Sequence, residues 1–299
     1  MVPRGSSPRK TEQRRDDHRE AELDRFRLRC SECGTDYPFD ANATVCPTCA
    51  HNQESNRPLR GILEVERTAD ATVPDAPGLD PYDTLPVPRA FFPSIPVGNT
   101  PLWAPERLRS ETGFSRLFVK DDTVNPTFSF KDRASFLVAA AARFIGEQNV
   151  TVASTGNAAS SMAGVGAAAG LNVTIYVPSN APRAKLVQCR GYGAEVVAVD
   201  GGYTAAVAQS LAHTERYGGI NRNTAYNPLT IEGKKTVSYE IVAQLREHLP
   251  AQSAIRTPSP DYVFVPTGDG VIASGVYKGF RDLKIAGTID RVPTIVAVQ

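Results

Sequence analysis

Lys131 stands in the segment NPTFSFKDRAS, residues 125–135, between Phe130 and Asp132 and at the start of an alanine-rich, helix-patterned stretch. An amine at a helix N-terminus feels the positive end of the helix dipole, which disfavours the ammonium form. Burial against Phe128 and Phe130 would lower its pKa further. A neutral amine is the form that condenses with a carbonyl group. Taken alone, the residue reads more simply as an exposed lysine at a helix start. Two loops downstream change its context. Ser154, Thr155, Gly156, Asn157 and Ala158 lie in STGNAAS (154–160), and Gly268, Asp269, Gly270, Val271 and Ile272 lie in PTGDGVIASG (266–275). Each follows an apolar strand pattern and opens a helix of small residues. Backbone N–H groups there bind anions, and glycine permits close approach. Two such loops suit a ligand with two anionic ends, or two ligands side by side. Tight strand-to-helix turns are the plainer alternative. Gly268, Gly270 and Ala273 also fit a dinucleotide G-x-G-x-x-A pattern. That pattern wants an acid at the end of the next strand, where Gln299 stands. Asp269 sits beside any anion bound here, so its side chain is expected to turn away.

Four cysteines form a second constellation. Cys30 and Cys33 in CSEC, and Cys46 and Cys49 in CPTC, make two knuckles with twelve residues between them. Four thiolates at this spacing can wrap one tetrahedral Zn²⁺. With cysteine at all four positions, no open site remains for catalysis, so the zinc is expected to be structural. A redox CxxC is the weaker alternative. Gly34 falls where the first knuckle must turn. The nearby Arg25, Arg27, Arg29, Arg57 and Arg60 lack the aromatic interleaving of a nucleic-acid surface. Cys189 stands alone on an apolar helix face, as a core thiol would.

The elements that must position these groups follow from patterning. The 299 residues are 41% hydrophobic and 22% charged, with net charge +1. These values fit a globular soluble chain and make no electrostatic case for nucleic acid or an anionic membrane. No run approaches the ~20 apolar residues of a membrane span. The N-terminus lacks the apolar region of a secretory signal, so cytoplasm is the default compartment. Residues 1–24 are charged and expected to be a disordered tail. Residues 25–67 form a zinc-ribbon-like module, the proline-rich 68–90 a linker, and 91–299 one large domain. In that domain, strands at 115–120, 150–154, 172–178, 194–200, 261–266 and 292–299 alternate with helices at 132–149, 157–170, 182–193, 203–218, 232–249 and 270–283. Continuous apolar strands alternating with helices predict an α/β fold with parallel sheets covered by helices on both faces. The chain stops directly after a strand, which suggests that the domain is incomplete at its C-terminus.

The order VGNTPL (97–102), NPTFSFKDR (125–133), STGNAAS, NPLTIEGKKT (227–236) and VPTGDG (265–270) resembles the pyridoxal-phosphate (PLP) enzymes of fold type II, the tryptophan synthase β-like group. Within that group it resembles threonine synthases that carry an N-terminal cysteine ribbon. The resemblance covers about residues 28–299. It implies that Lys131 is the Schiff-base lysine and the acid/base of the reaction. It implies that Asn157 bonds the cofactor 3′-oxygen and that the backbone of Gly268, Asp269, Gly270, Val271 and Ile272 binds the cofactor phosphate. Ser154, Thr155, Gly156 and Ala158 would hold the carboxylate of an amino-acid substrate, and Asp132 and Arg133 would pair to fix the lysine's turn. The implied activity converts O-phosphohomoserine and water to threonine and phosphate, and a homodimer is compatible with it. The chain departs from the group at three places. Phe128 and Ala134 stand where glycine is usual, narrowing the space near the lysine. Thr230 stands where many threonine synthases have an arginine for the substrate phosphate; Arg183, Lys185 and Arg222 are the candidate substitutes. These departures keep two alternatives open: a sister PLP enzyme (a dehydratase, or β-replacement on an activated serine), and a non-catalytic ligand-binding protein.

Overall fold

The computed structural model describes residues 24–51, 53–54, 57–68, 81–248 and 258–299. The expected tail, apart from Asp24, lies outside the described residues, as do residues 69–80 of the expected linker.

The N-terminal module is a three-stranded antiparallel sheet. Its central strand β1 (Phe26–Cys30) lies between β2 (Asp36–Pro38) and β3 (Leu63–Arg67). Period-two alternation buries Phe26, Leu28 and Cys30 and turns Arg27 and Arg29 outward. Those arginines pair with Asp36 and Glu66, and Arg60 pairs with Glu32. A short helix α1 (Pro47–Ala50) carries the second cysteine pair, with proline at its first turn.

Residues 81–90, the described part of the expected linker, pack into the core together with Phe92. Two 3₁₀ turns, Pro81–Thr84 and Arg89–Phe91, bury Tyr82, Leu85, Val87 and Phe92. The Tyr82 ring lies 5.3 Å from both Phe92 and Phe136. Proline bars a regular ladder here but not apolar contact.

A small antiparallel pair, β4 (Leu102–Trp103) and β5 (Val119–Lys120), brackets α2 (Glu106–Thr112). The strand expected over 115–120 is therefore only its last two residues. Helix α3 (Asp132–Ile145) starts beside Lys131 and leads to β6 (Asn149–Ala153), α4 (Asn157–Ala169), β7 (Asn172–Pro178), α5 (Arg183–Gly191), β8 (Glu195–Val199), α6 (Gly202–Tyr217) and β9 (Ile220–Asn221). These strands form one parallel sheet, ordered β8–β7–β6–β9. The helix expected over 232–249 is divided into α7 (Leu229–Glu232), a 3₁₀ turn (Gly233–Lys235) and α8 (Thr236–Glu247). A second, two-stranded parallel sheet pairs β10 (Tyr262–Pro266) with β11 (Thr294–Val298), joined by α9 (Val271–Ile285).

One buried ion network ties these pieces together. Arg133, at the start of α3, is fully buried. Its Nε and Nη2 donate to the two carboxylate oxygens of Asp122 at 2.6 and 2.8 Å. Nη1 and Nη2 also donate to Glu240 of α8 at 2.5 and 2.9 Å. Glu240 in turn accepts from the backbone N–H of Asn99 and Thr100 and from Lys120 Nζ at 2.7 Å. Despite its own desolvation, Glu240 is held down to about 2 by Arg133 and Lys120. The expected pairing of Asp132 with Arg133 does not form. Asp132 instead accepts from Thr127 N at 2.7 Å and from the Thr127 hydroxyl, closing the NPT turn.

Substituting Arg133→Leu leaves Asp122 and Glu240 buried with less cationic compensation. The expected cost is about 3–5 kcal/mol of unfolding free energy, read as a lower midpoint in denaturant unfolding. A loss under ~1 kcal/mol would show that the network is not a main determinant of the fold.

Candidate active site and metal centre

Three helices begin where the sequence placed chemistry: α3 at Lys131, α4 at Asn157 and α9 at Val271. The first two starts are held in register. Ser161 Oγ donates to Ser135 Oγ at 2.7 Å. Each serine lies four residues into its helix from Asn157 or Lys131, and residues i and i+4 share a helix face. The contact ties the first turn of α3 to the first turn of α4. Small residues in α4 permit the close approach. A Cβ on Gly164 would lie 2.6 Å from the Thr127 methyl, in the turn that precedes Lys131.

The third start is seated by two glycines on one face of α9. A Cβ on Gly275 would lie 2.6 Å from Lys234 Cβ, and one on Gly279 would strike Lys235 O. Gly233, in turn, lies against the α3 start, where a Cβ would be 2.5 Å from Arg133 O and 3.1 Å from Ala134 Cα. The EGKK turn (232–235) is thus pressed between the helix that starts at Lys131 and the helix that starts at Val271.

Electrostatics joins the α3 and α9 starts. The Lys131 amine is shifted below the usual lysine value by burial; Arg222 lowers it further and Asp269 opposes the shift. Lys234 is completely buried and lies well below the usual range, through burial first and then the charges of Arg222 and Lys131. Arg222 is also completely buried, which brings it down to about 10 against the support of Asp269 and Asp132. The direction expected for Lys131 is present, but Phe128 is not its cause. Phe128 is 74% exposed and adopts φ +61°, a conformation that favours glycine. Its side chain is turned to solvent, so it does not narrow the space near the lysine. Phe130 packs with the α8–α9 cluster.

The anion loops are open where a ligand would need space. Cβ atoms built on Gly156, Gly268 and Gly270 would meet nothing within 4 Å. Gly270 has φ +78° and caps α9. Asp269, expected to turn away, does the opposite. Its Oδ1 accepts from Val271 N at 3.1 Å. Any anion at this helix start competes with that carboxylate. Ser154 Oγ accepts from Gly156 N at 3.1 Å, shaping the first loop. The site thus has a depressed lysine amine, two glycine-lined helix starts and buried cations, and these features fit PLP.

A cleft of about 940 Å³ adjoins this centre without containing it. Asp269, Gly270 and Val271 line it; Lys131, Asn157 and the 154–158 loop do not. Its other walls come from the ribbon (Ser31, Pro58, Ile62) and from Tyr203 and Tyr226. Lys131, Arg222 and Lys234 lie outside this cleft and feel the charge of Asp269 at its edge.

The four cysteines are gathered as the spacing implied. Their Sγ atoms all lie within 4.8 Å of one another, with 3.9 Å for Cys30–Cys49 and 3.8 Å for Cys33–Cys46. Four sulfurs at ~2.3 Å from a tetrahedral zinc would be about 3.8 Å apart. Gly34 (φ +73°) makes the first knuckle's turn. The second depends on Gly61, which sequence reasoning missed. It has φ +66°, its O accepts from Cys46 N at 2.7 Å, and a Cβ there would lie 3.0 Å from Cys46 Cβ.

With fold and site described, the comparisons are direct. The architecture is that of PLP fold type II. The processed form of threonine deaminase isoform 2 from Solanum lycopersicum superposes with a TM-score of 0.56 at 24% identity, over 71% of this chain and 55% of that one. Maize serine racemase gives 0.54 at 24% identity, over 68% and 56%. These likenesses establish the fold alone. The family described as "Pyridoxal-phosphate dependent enzyme" matches residues 94–299, and the chain belongs to it. Among curated relatives, the threonine synthase of Methanosarcina acetivorans is 31% identical over 279 residues, 92% of this chain and 64% of that protein. The threonine synthase of Synechocystis sp. is 32% identical over 266 residues, 88% and 63%. The chain spans just under two thirds of the length of these relatives. Among the described residues, no helix is long and apolar enough to cross a membrane.

Two measurements test this geometry. Purified protein should carry one zinc per chain by elemental analysis; Cys46→Ser should lose most of it and unfold at lower temperature. Asp269→Asn removes the charge that favours the Lys131 ammonium while keeping an acceptor for Val271 N–H. The Lys131 pKa should then fall further, so that borohydride trapping of PLP on Lys131 begins at lower pH than in the unaltered protein. An unchanged or raised midpoint would rule out the coupling.

Proposed function

We propose that this protein is a PLP-dependent lyase of the threonine synthase type, converting O-phosphohomoserine and water to threonine and phosphate. The observation that carries the proposal is the similarity to named threonine synthases across about nine tenths of the chain, ribbon included. Helix starts at Lys131, Asn157 and Val271, with open glycines in the last two loops, support it.

In this reading Asn157 holds the cofactor's 3′-oxygen, and the backbone of Gly268, Asp269, Gly270, Val271 and Ile272 holds its phosphate. Ser154, Thr155, Gly156 and Ala158 hold the substrate carboxylate at the α4 start, where N–H groups point outward. When bound, PLP supplies the electron sink that makes the substrate α proton removable. Lys131, whose proton affinity burial lowers, moves protons at the α and β carbons. The atoms balance as follows. The γ carbon loses phosphate and gains the proton taken from the β carbon. The β carbon gains the hydroxyl of water, and the remaining water proton leaves with phosphate. In the ribbon, Cys30, Cys33, Cys46 and Cys49 hold a structural zinc.

A sister reaction is the second reading, and Thr230 favours it. Its hydroxyl donates to Asn227 O at 2.7 Å and accepts from Ala225 N at 3.3 Å. It is fully buried and already satisfied, so this position presents no group to a substrate phosphate.

Supplying O-phosphohomoserine to PLP-loaded protein should release phosphate and threonine in equal amounts. Lys131→Ala should lower the rate by about 10²–10⁴-fold or more and abolish borohydride labelling of the peptide around residue 131. Release of neither product by the PLP-loaded protein would exclude the proposed reaction. Release of pyruvate from phosphoserine, or of 2-oxobutanoate from threonine, would point to the sister reading.

A further inference from the structure

Two buried cations near Lys131 are not used by the scheme above. Arg222 follows β9 and has no exposed surface. Its Nε donates to Ser135 Oγ at 3.3 Å and its Nη1 to Thr224 Oγ1 at 3.0 Å, while Nη2 has no partner. Ser135 marks the first turn of α3, and Thr224 lines the cleft. The guanidinium therefore lies one layer behind the cleft wall, between it and the Lys131 helix. Lys234 is likewise fully buried, and its Nζ makes one hydrogen bond, to Thr230 O at 2.6 Å. It occupies the variable position of the EG-x-KT motif. The charged groups within reach of the pair are Lys131, Asp132 and Asp269. Asp132 is already bonded twice to Thr127, and Asp269 caps α9.

A buried guanidinium nitrogen without an acceptor carries a desolvation cost that a bound anion would remove. Arginine suits this role because its fork matches the oxygens of phosphate. We propose that Arg222, with Lys234 behind it, forms the subsite for a dianionic side-chain group of the substrate, making the protein selective for phosphorylated hydroxy-amino acids. Thr230 cannot supply that cation; Arg222, eight residues earlier, and Lys234, four later, do. The anion enters past Thr224 from the cleft and takes the free Nη2 hydrogens. It also restores the proton affinity that burial and like charge have stripped from Lys234. This inference rests on the PLP-enzyme reading but not on which product is formed.

The test is a spectral titration of PLP-loaded protein with O-phosphohomoserine and O-phosphoserine, and with unphosphorylated homoserine and serine. The phosphorylated forms should bind at least tenfold more tightly than their hydroxyl counterparts, with inorganic phosphate competing. Arg222→Gln should remove tenfold or more of that preference, read as the ratio of phosphorylated to unphosphorylated affinity, the loss expected for one charge-assisted pair. Arg222→Lys should keep part of it. Should Arg222→Gln fail to fold, Lys234→Gln reads the same ratio and should reduce it severalfold. An unaltered protein without the preference, or either Gln variant retaining it in full, overturns the subsite. Arg222-dependent preference with no threonine formed would uphold the subsite while removing the threonine synthase reaction, so the two failures are distinguishable.

Discussion

The structure depends on the desolvated pairing of Arg133 with Asp122 and Glu240. All five guanidinium hydrogens are aimed at acceptors on three separate segments: the 122 turn, Thr100 after the VGN turn, and α8. A buried ion pair of this kind contributes little net stability against an apolar replacement, yet breaking it is costly. Its effect is geometric. Because Arg133 is two residues after Lys131, the network fixes the first turn of α3 from behind, on the side away from the reacting amine. The lysine therefore has a rigid root, as the proton-carrying role proposed for it requires.

The second constraint is close approach. The EGKK turn must lie against both α3 and α9, and Gly233, Gly275 and Gly279 make room for it. Placing Lys234 and Arg222 in this dry layer costs solvation. That cost appears as depressed proton affinity at Lys131, Lys234 and Arg222 together. The like charges that make the lysine reactive are the same charges that need an anion. In the proposed subsite, selectivity for an anionic substrate and activation of the amine arise from one arrangement.

Much of this was legible in the sequence, for reasons specific to each part. The helices after β6, β7 and β8 were found because their apolar spacing and flanking glycines are local signals. The cysteine set was found because metal-ligand spacing is also local. Lys131 and the two anion loops were located by order along the chain. What could not be read depends on contacts between distant residues. Arg133 and Glu240 are 107 positions apart, so the neighbouring Asp132 looked like the partner. Gly61 and Gly279 carry no motif of their own; their need appears only when Cys46 or Lys235 is placed against them. The strand Phe26–Cys30 is not legible within the ribbon module because its outward arginines find their partners only once Asp36 and Glu66 lie beside them. Residues 81–90 read as linker because proline content reports on backbone regularity, not on burial.

The ribbon's relation to the site follows from the same contacts. Arg281 on α9 reaches Glu64 and Glu66 on β3 at 3.6 and 3.5 Å. Asn227, before the EGKK turn, reaches Ala41 O at 3.4 Å. These partly exposed ion pairs are each weak, but they join the module to the helix that starts at Gly270 and to the segment that presents Thr230 and Lys234. Ser31, next to Cys30, and Ile62, next to Gly61, line the cleft through which Thr224 and Asp269 are reached. The four thiols therefore set the position of a cleft wall as well as the fold of a small sheet. A module of this size has too little core to hold that wall by apolar burial alone. The zinc proposed for these four cysteines, held on two tight glycine turns, would give it the rigidity that its few buried side chains cannot.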